Sequence, residues 1–286
     1  MRMSAARWSA VLALVLAGAA LTPSAAGAAE VEAPPALCST LPRNGDAVVD
    51  LTVPGDLVAD TFHGGPCVLV NVVVEGDVVV PHDSSFQVVL STVRGSVDAQ
   101  GGVAITERST VGGDVVVDDE HVWRGLEVRD STVTGDVRGR TAGVRIVRST
   151  VSGAYDVATT TRAQLARTSV AGPVDTRGGR LLVHDATLGA SLTSTGSGEV
   201  LVCRTSVVGD LTVTDVRGYV RLGVEADERC RTTVGGSVVL VDNPHSLDLG
   251  DLAVAGDLVC TGNTGTRGIT TSPLTTVTGT RSGQCA

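Results

Sequence analysis

Residues Ser131–Val137 read STVTGDV, and close copies recur as STVRGSV at Ser91–Val97, STVGGDV at Ser109–Val115 and TSVVGDL at Thr205–Leu211. Aligning the chain on the glycine of this phrase places anchors at Gly55, Gly76, Gly95, Gly113, Gly135, Gly153, Gly172, Ala190, Gly209, Gly236 and Gly256, a mean period of about 20 residues. Two residues before and two residues after every anchor stands an apolar side chain, in most cases Val or Leu. Apolar residues at every second position are the signature of a strand with one face buried, and Val suits a pleated surface. A strand of this kind, a second alternating piece such as Val144–Val147 and a turn fill the period and leave no room for a helix. One repeat cannot bury its own apolar face, but the next repeat stacked on it extends both ladder and core. The fold expected is therefore an all-β, single-domain parallel β-helix of about 11 coils, a rod on the order of 50 Å long. The recurring glycine has inward parity, where it can turn a corner without a side chain to accommodate.

The start of the chain has a different logic. Arg2 and Arg7 precede the apolar run Trp8–Leu21, which leads to small residues before Glu30. This pattern predicts a secretory signal peptide over residues 1–28, cleaved between Ala26 and Ala29. Residues 29–50 then form an N-terminal cap segment, 51–259 the repeat domain and 260–286 a C-terminal cap. No later apolar run has the length of a membrane helix, and neither a lipid-bearing Cys near the cleavage site nor an apolar C-terminal tail is present. Membrane insertion is not expected.

All 22 basic residues are Arg against 31 Asp and Glu. Loss of the leader would leave 20 Arg and a formal charge of about −11, which argues against nucleic acid as a partner. The Arg-only usage with abundant Val, Ala and Gly suggests a bacterium with GC-rich DNA. Aromatic residues make up only 2%, so Val and Leu must fill the interior.

Cys38, Cys67, Cys203, Cys230, Cys260 and Cys285 are an even set in an exported chain, which predicts three disulfides. Cys203 and Cys230 each lie six residues before an anchor, so stacked coils bring them within bonding distance. Cys38 with Cys67 would staple the first coil, and Cys260 with Cys285 the tail, covering strand edges that otherwise invite aggregation. A metal site is the weaker reading, because no CxxC pair occurs.

The phrases STVxGDV, together with the ending GDLVCTGN…GQC at Gly256–Cys285, resemble a group of secreted actinobacterial repeat proteins. The coil rhythm is also similar to that of bactofilins, cytosolic scaffolds that form polymers. That similarity, with the uneven coil lengths, implies right-handed coiling. Neither resemblance supplies catalytic residues.

Candidate sites compete with plain structural readings. Outward Thr and Ser, from Thr52 to Thr233, could order water as in ice-binding β-helices, but the parallel second file is missing at Arg94, Gly112, Ala171 and Val208; exposed strand residues are the simpler account. The Asp after the anchor, as at Asp56, Asp77, Asp114 and Asp136, could bind calcium or imitate a glycosidase pair, but the repeat itself generates that spacing, and solvation is the simpler account. Five residues before the anchor, Arg108, Arg148, Arg167 and Arg204 alternate with Asp130 and Asp185. They form either a stripe for an acidic polymer or a self-paired charge ladder. The loop Asp118–Gly125, DDEHVWRG, lengthens one coil and gathers Asp118, Asp119, His121 and Trp123, a candidate binding loop on a rigid scaffold. The stretch Arg221–Cys230 is a second insertion. The other histidines, His63, His82, His184 and His245, lie on different coils and suggest no ligand cluster.

The function expected is a secreted, non-enzymatic scaffold or binding surface at the cell envelope, without a cofactor, whose partner is a cell-wall or extracellular polysaccharide or another copy of itself. The alternatives are a polysaccharide lyase or glycosidase, carried by fold analogy alone, and more remotely an ice-binding protein.

Overall fold

The computed structural model describes residues 34–61, 65–119, 125–225 and 228–286. The leader expected at residues 1–28 lies outside them. The described chain is a parallel β-solenoid of three faces; its only helical element is the 3-10 turn Cys38–Thr40. One face is a 12-stranded sheet of short strands, among them Thr92–Val93, Thr110–Val111, Thr132–Val133 and Thr150–Val151. The second face holds Val78–Val80, Val97–Ala99 and Val115–Asp119, and the third Ser85–Val89, Gly102–Thr106 and Leu126–Arg129. In three middle turns the second and third faces run together as Val137–Val147, Tyr155–Ala166 and Val174–His184.

The apolar columns pack where their parity places them. Val133, Val137, Val151, Tyr155, Val170 and Val174 are all fully buried, stacked in register along the axis. The outward Thr132 and Thr150 pair across turns on the opposite side of the same strands. Tyr155 is the largest side chain in the core, and its hydroxyl finds no hydrogen-bond partner there.

Within a strand, successive N–H groups point alternately to the two neighbouring turns. At a corner the alternation breaks, and an N–H loses its carbonyl. At the corner between the first and second faces, Thr134 and Gly135 donate to the preceding turn at Val111 and Gly113, and Asp136 points the same way. Its N–H is accepted by the Asp114 carboxylate at 2.9 Å. The same bond joins Asp77 to Asp56, Ser96 to Asp77, Asp114 to the Ser96 hydroxyl, Ala154 to Asp136, Ser237 to Asp210 and Thr280 to Asp257. The Asp column is therefore a ladder of acceptors for amides at an exposed to half-buried corner, a role that its reading as a solvated file did not include.

This ladder also explains the glycine. A Cβ on Gly135 would collide with the Asp114 carboxylate and stand 2.6 Å from the Gly113 carbonyl carbon and oxygen. The glycine serves close approach of two turns, with ordinary backbone angles at every anchor except Gly55. The single exception to glycine follows the same rule. Ala190 succeeds a turn with Pro173 in the acceptor position, where no carboxylate intrudes. Pro173 in turn follows Ala154, which offers no acceptor, and Pro has no N–H to satisfy.

The first letter of the phrase caps the corner between the third and first faces. Ser91, Ser109, Ser131 and Ser149 are buried. Their hydroxyls accept the N–H of Val72, Ser91, Ser109 and Ser131 at 2.9 to 3.3 Å. Each donates in turn to a carbonyl two or three residues back, such as Arg129 or Val147. The residue before each Ser takes left-handed backbone angles, as Arg108, Asp130 and Arg148 do, with φ between 50° and 63°.

The three expected disulfides are present: Cys38–Cys67, Cys203–Cys230 and Cys260–Cys285, with Cα separations of 6.0, 5.2 and 5.4 Å. The tail adds a twelfth rung, since Ile269–Thr271, Thr276–Val277 and Arg281–Gly283 pair in parallel with the turn before. A column of buried amides closes this end: Val216 donates to Asn243, Asn243 to Asn263, and Asn263 to Gln284.

Candidate functional site

The ladders account for most of the repeated polar side chains, so a site must stand outside them. Val117 and Asp119 face inward and Asp118 outward on the strand Val115–Asp119. Asp119 is only 2% exposed and lies in register with buried Thr141, whereas exposed Asp118 lies beside Arg140. The two carboxylates thus point to opposite sides of one strand and cannot serve one ligand. His121 and Trp123 lie outside the described residues.

The Arg column divides into two kinds. Arg148 forms a forked pair with Asp130, both bonds 2.6 Å, and the guanidinium holds the Asp130 carboxyl below its ordinary range. Arg204 bonds Asp185 at 2.7 Å and also meets His184, and Arg204 lowers the Asp185 pKa in the same way. The self-paired ladder is realised at these positions. Arg108 and Arg167 are exposed and face no carboxylate within ion-pair distance among the described residues. The column is not a continuous free stripe.

A group that sequence reasoning passed over lies on the third face and the corner leading into it. Tyr219 precedes the strand Val220–Leu222 and is 44% exposed; among the described residues the other aromatic rings, Phe86 and Tyr155, are buried. Arg221 lies on the same side of that strand, its guanidinium carbon 5.1 Å from the centre of the Tyr219 ring. His245, from the next turn, places its ring 6.1 Å from that of Tyr219. Glu199 and Asp248 flank Arg221 from the turns on either side, at 3.7 and 4.0 Å. Glu199 is itself held by two bonds from Arg180 to a single oxygen, Oε2.

Stacking brings this group together from four separated stretches. Arg180 pairs with Glu199, Val200 with Val220 and Arg221 with Asp248 in successive rungs. Tyr219 and His245 are 26 positions apart in the chain, and the hairpin Val224–Glu225 with Glu228–Arg229 loops out between them. The Cys203–Cys230 disulfide ties the base of that hairpin to the previous turn. The signal available in the sequence was the period itself, once the insertion is removed from the count.

Among the described residues no three His, Cys, Asp or Glu side chains converge as a metal site would require. The arrangement at Tyr219 offers an aromatic surface, a guanidinium fork and two carboxylates. It is equipped to hold a polar molecule. No family model, curated protein or solved structure matches the chain, so its functional reading rests on this geometry and on the fold.

Proposed function

We propose that the protein is an exported, non-enzymatic rod that presents a binding surface at the cell envelope, with an extracellular polysaccharide as its partner. The observation that carries this reading is the carboxylate column. Its members are the most enzyme-like feature of the sequence, and each is engaged by an amide of the next turn. Three disulfides suit an oxidising, extracellular compartment. Among the described residues no helix is long and apolar enough to cross a membrane.

Backbone bonds join every rung to the next, and side-chain ladders pin most of them as well. Such a body holds exposed side chains at fixed spacing, about 4.8 Å per turn, a spacing suited to an extended polymer. Mature protein incubated with neutral and acidic glycans should leave chain length unchanged while sedimenting with isolated cell walls. Depolymerisation abolished by Asp118→Ala would overturn the reading in favour of an enzyme, and failure to sediment with any wall preparation would remove its envelope role.

A further inference from the structure

Resting on that reading, we infer that Tyr219, Arg221, His245, Glu199 and Asp248 form a binding site for a neutral pyranose unit of a polysaccharide. Three observations on the same few residues converge. The first is the exposed ring of Tyr219, in a chain whose aromatic content is 2%. An aromatic ring placed in solvent at a rigid corner offers a flat apolar platform with a polar edge.

The second concerns unfilled hydrogen-bonding capacity. The Arg221 side chain is one-third exposed and makes no hydrogen bond among the described residues; its carboxylate neighbours stand at 3.7 and 4.0 Å, beyond bonding distance. Arg180 occupies Oε2 of Glu199 and leaves Oε1 toward Arg221, and Asp248 accepts no hydrogen bond among the described residues. A guanidinium lying over the Tyr219 ring and two carboxylate oxygens beside that guanidinium thus keep donors and acceptors open. Their gaps are too long for direct bonds, so each side keeps capacity for the hydroxyls of a ligand.

The third is charge. Arg180 and Arg221 balance Glu199 and Asp248, so the group has no net charge with which to draw in a polyanion or a cation. A neutral polyol is the chemistry that matches: its hydroxyls accept from Arg221 and donate to the carboxylates, while its C–H face packs on the part of the Tyr219 ring that Arg221 leaves exposed. His245 borders the same ring and adds a further polar edge. The site sits on a corner where the chain leaves the sheet, so a sugar within a longer polymer can enter without distorting a strand.

The test is calorimetric titration of the oxidised mature protein with soluble neutral hexasaccharides of glucose, mannose and galactose, with polygalacturonate as the acidic comparison. At least one neutral oligosaccharide should bind. Tyr219→Ala should weaken it roughly tenfold, the loss typical of a truncated interface aromatic, and Arg221→Gln should weaken it comparably. Tyr219→Phe should stay within about twofold, because the platform persists. Circular dichroism and melting of all three variants should match the parent. Binding of no neutral sugar, equal binding by Tyr219→Ala, or binding confined to polygalacturonate would overturn the site. If the parent and Tyr219→Ala sediment equally with cell walls, the site fails while the envelope reading survives; if the parent does not sediment, the envelope reading fails.

Discussion

Two corners of each turn behave differently. Between the first and second faces, the core residues that flank the anchor are always four positions apart, as in Val53 and Leu57, Val133 and Val137, or Val254 and Leu258. Between the second and third faces, the separation of core residues runs from four, at Ala99 and Val103, to nine, at Val117 and Leu126. The first corner carries a side-chain acceptor that must meet an amide of the next turn, so one added residue would strand both. The second corner satisfies its backbone through strand pairing that tolerates register shifts, as between Thr141 and Gly143, or through turns. Length varies at the second corner, where the one column of side-chain acceptors described above, Asn243, Asn263 and Gln284, spans only the last turns, and the Tyr219 group lies at this corner.

The comparison can be broken most severely by insertion. Two residues placed between Thr134 and Gly135 should prevent cooperative folding, whereas the same pair after Gly196 should change stability by less than about 1 kcal/mol; urea melts of both proteins decide it. Gly196 has φ of 64° with open space around it, so that turn accommodates extra chain.

Substitution at single glycines sharpens the contrast. Gly135→Ala forces a methyl group against the Asp114 carboxylate and Gly113 backbone and should lower stability by about 2 to 4 kcal/mol. Gly196→Ala meets no neighbour and carries only the strain of its left-handed angles, about 1 kcal/mol. Equal losses would contradict the distinction between close approach and backbone angle.

Removal of single acceptors should have intermediate effects. Ser131→Ala strands the buried amide of Ser109, for a loss of about 1 to 3 kcal/mol. Asp114→Ala at the more open corner should fall nearer 1 kcal/mol, since water can reach the freed Asp136 amide. Chemical denaturation of both variants would show the order.

The smallest expected effect is on acid stability. The Thr280 amide, then its hydroxyl, holds the Asp257 carboxyl below its ordinary range, as Arg148 does for Asp130 and Arg204 for Asp185. A depressed folded pKa contributes stability that is complete above the unfolded value, roughly 3.9, and is lost as pH falls through the lower folded values. Melting temperature should therefore hold from neutral pH to about 5 and decline below 4. Asp257→Asn keeps an oxygen for the Thr280 amide and should shed part of that acid dependence.

Much of this architecture was legible because apolar parity and cysteine register are one-dimensional facts. Val133 and Val137 declare an inner face by spacing, and Cys203 and Cys230 declare neighbours by equal distance from an anchor. The roles of Ser131 and Asp136 were not legible in the same way. Each looks like an ordinary polar residue until the broken alternation of amides at a corner shows which N–H lacks a carbonyl. The Tyr219 group was hidden by arithmetic: the hairpin before Cys230 lengthens one turn to 27 residues, as the Asp210–Ser237 bond records, and so separates His245 from its partner in any simple count. The Arg108 and Arg167 positions match those of Arg148 and Arg204 in sequence, and only the neighbouring turn decides which is paired.

Because Ser91 and Ser109 occupy equivalent points on adjoining rungs, the stretch from Ser91 through Arg108 is a removable module. Its excision would set Leu90 against Ser109 with every contact class preserved, shortening the molecule by one step of about 4.8 Å at unchanged girth. Reach is thus a quantity this protein can gain or lose in whole increments, while the corner between its first and second faces keeps one size throughout.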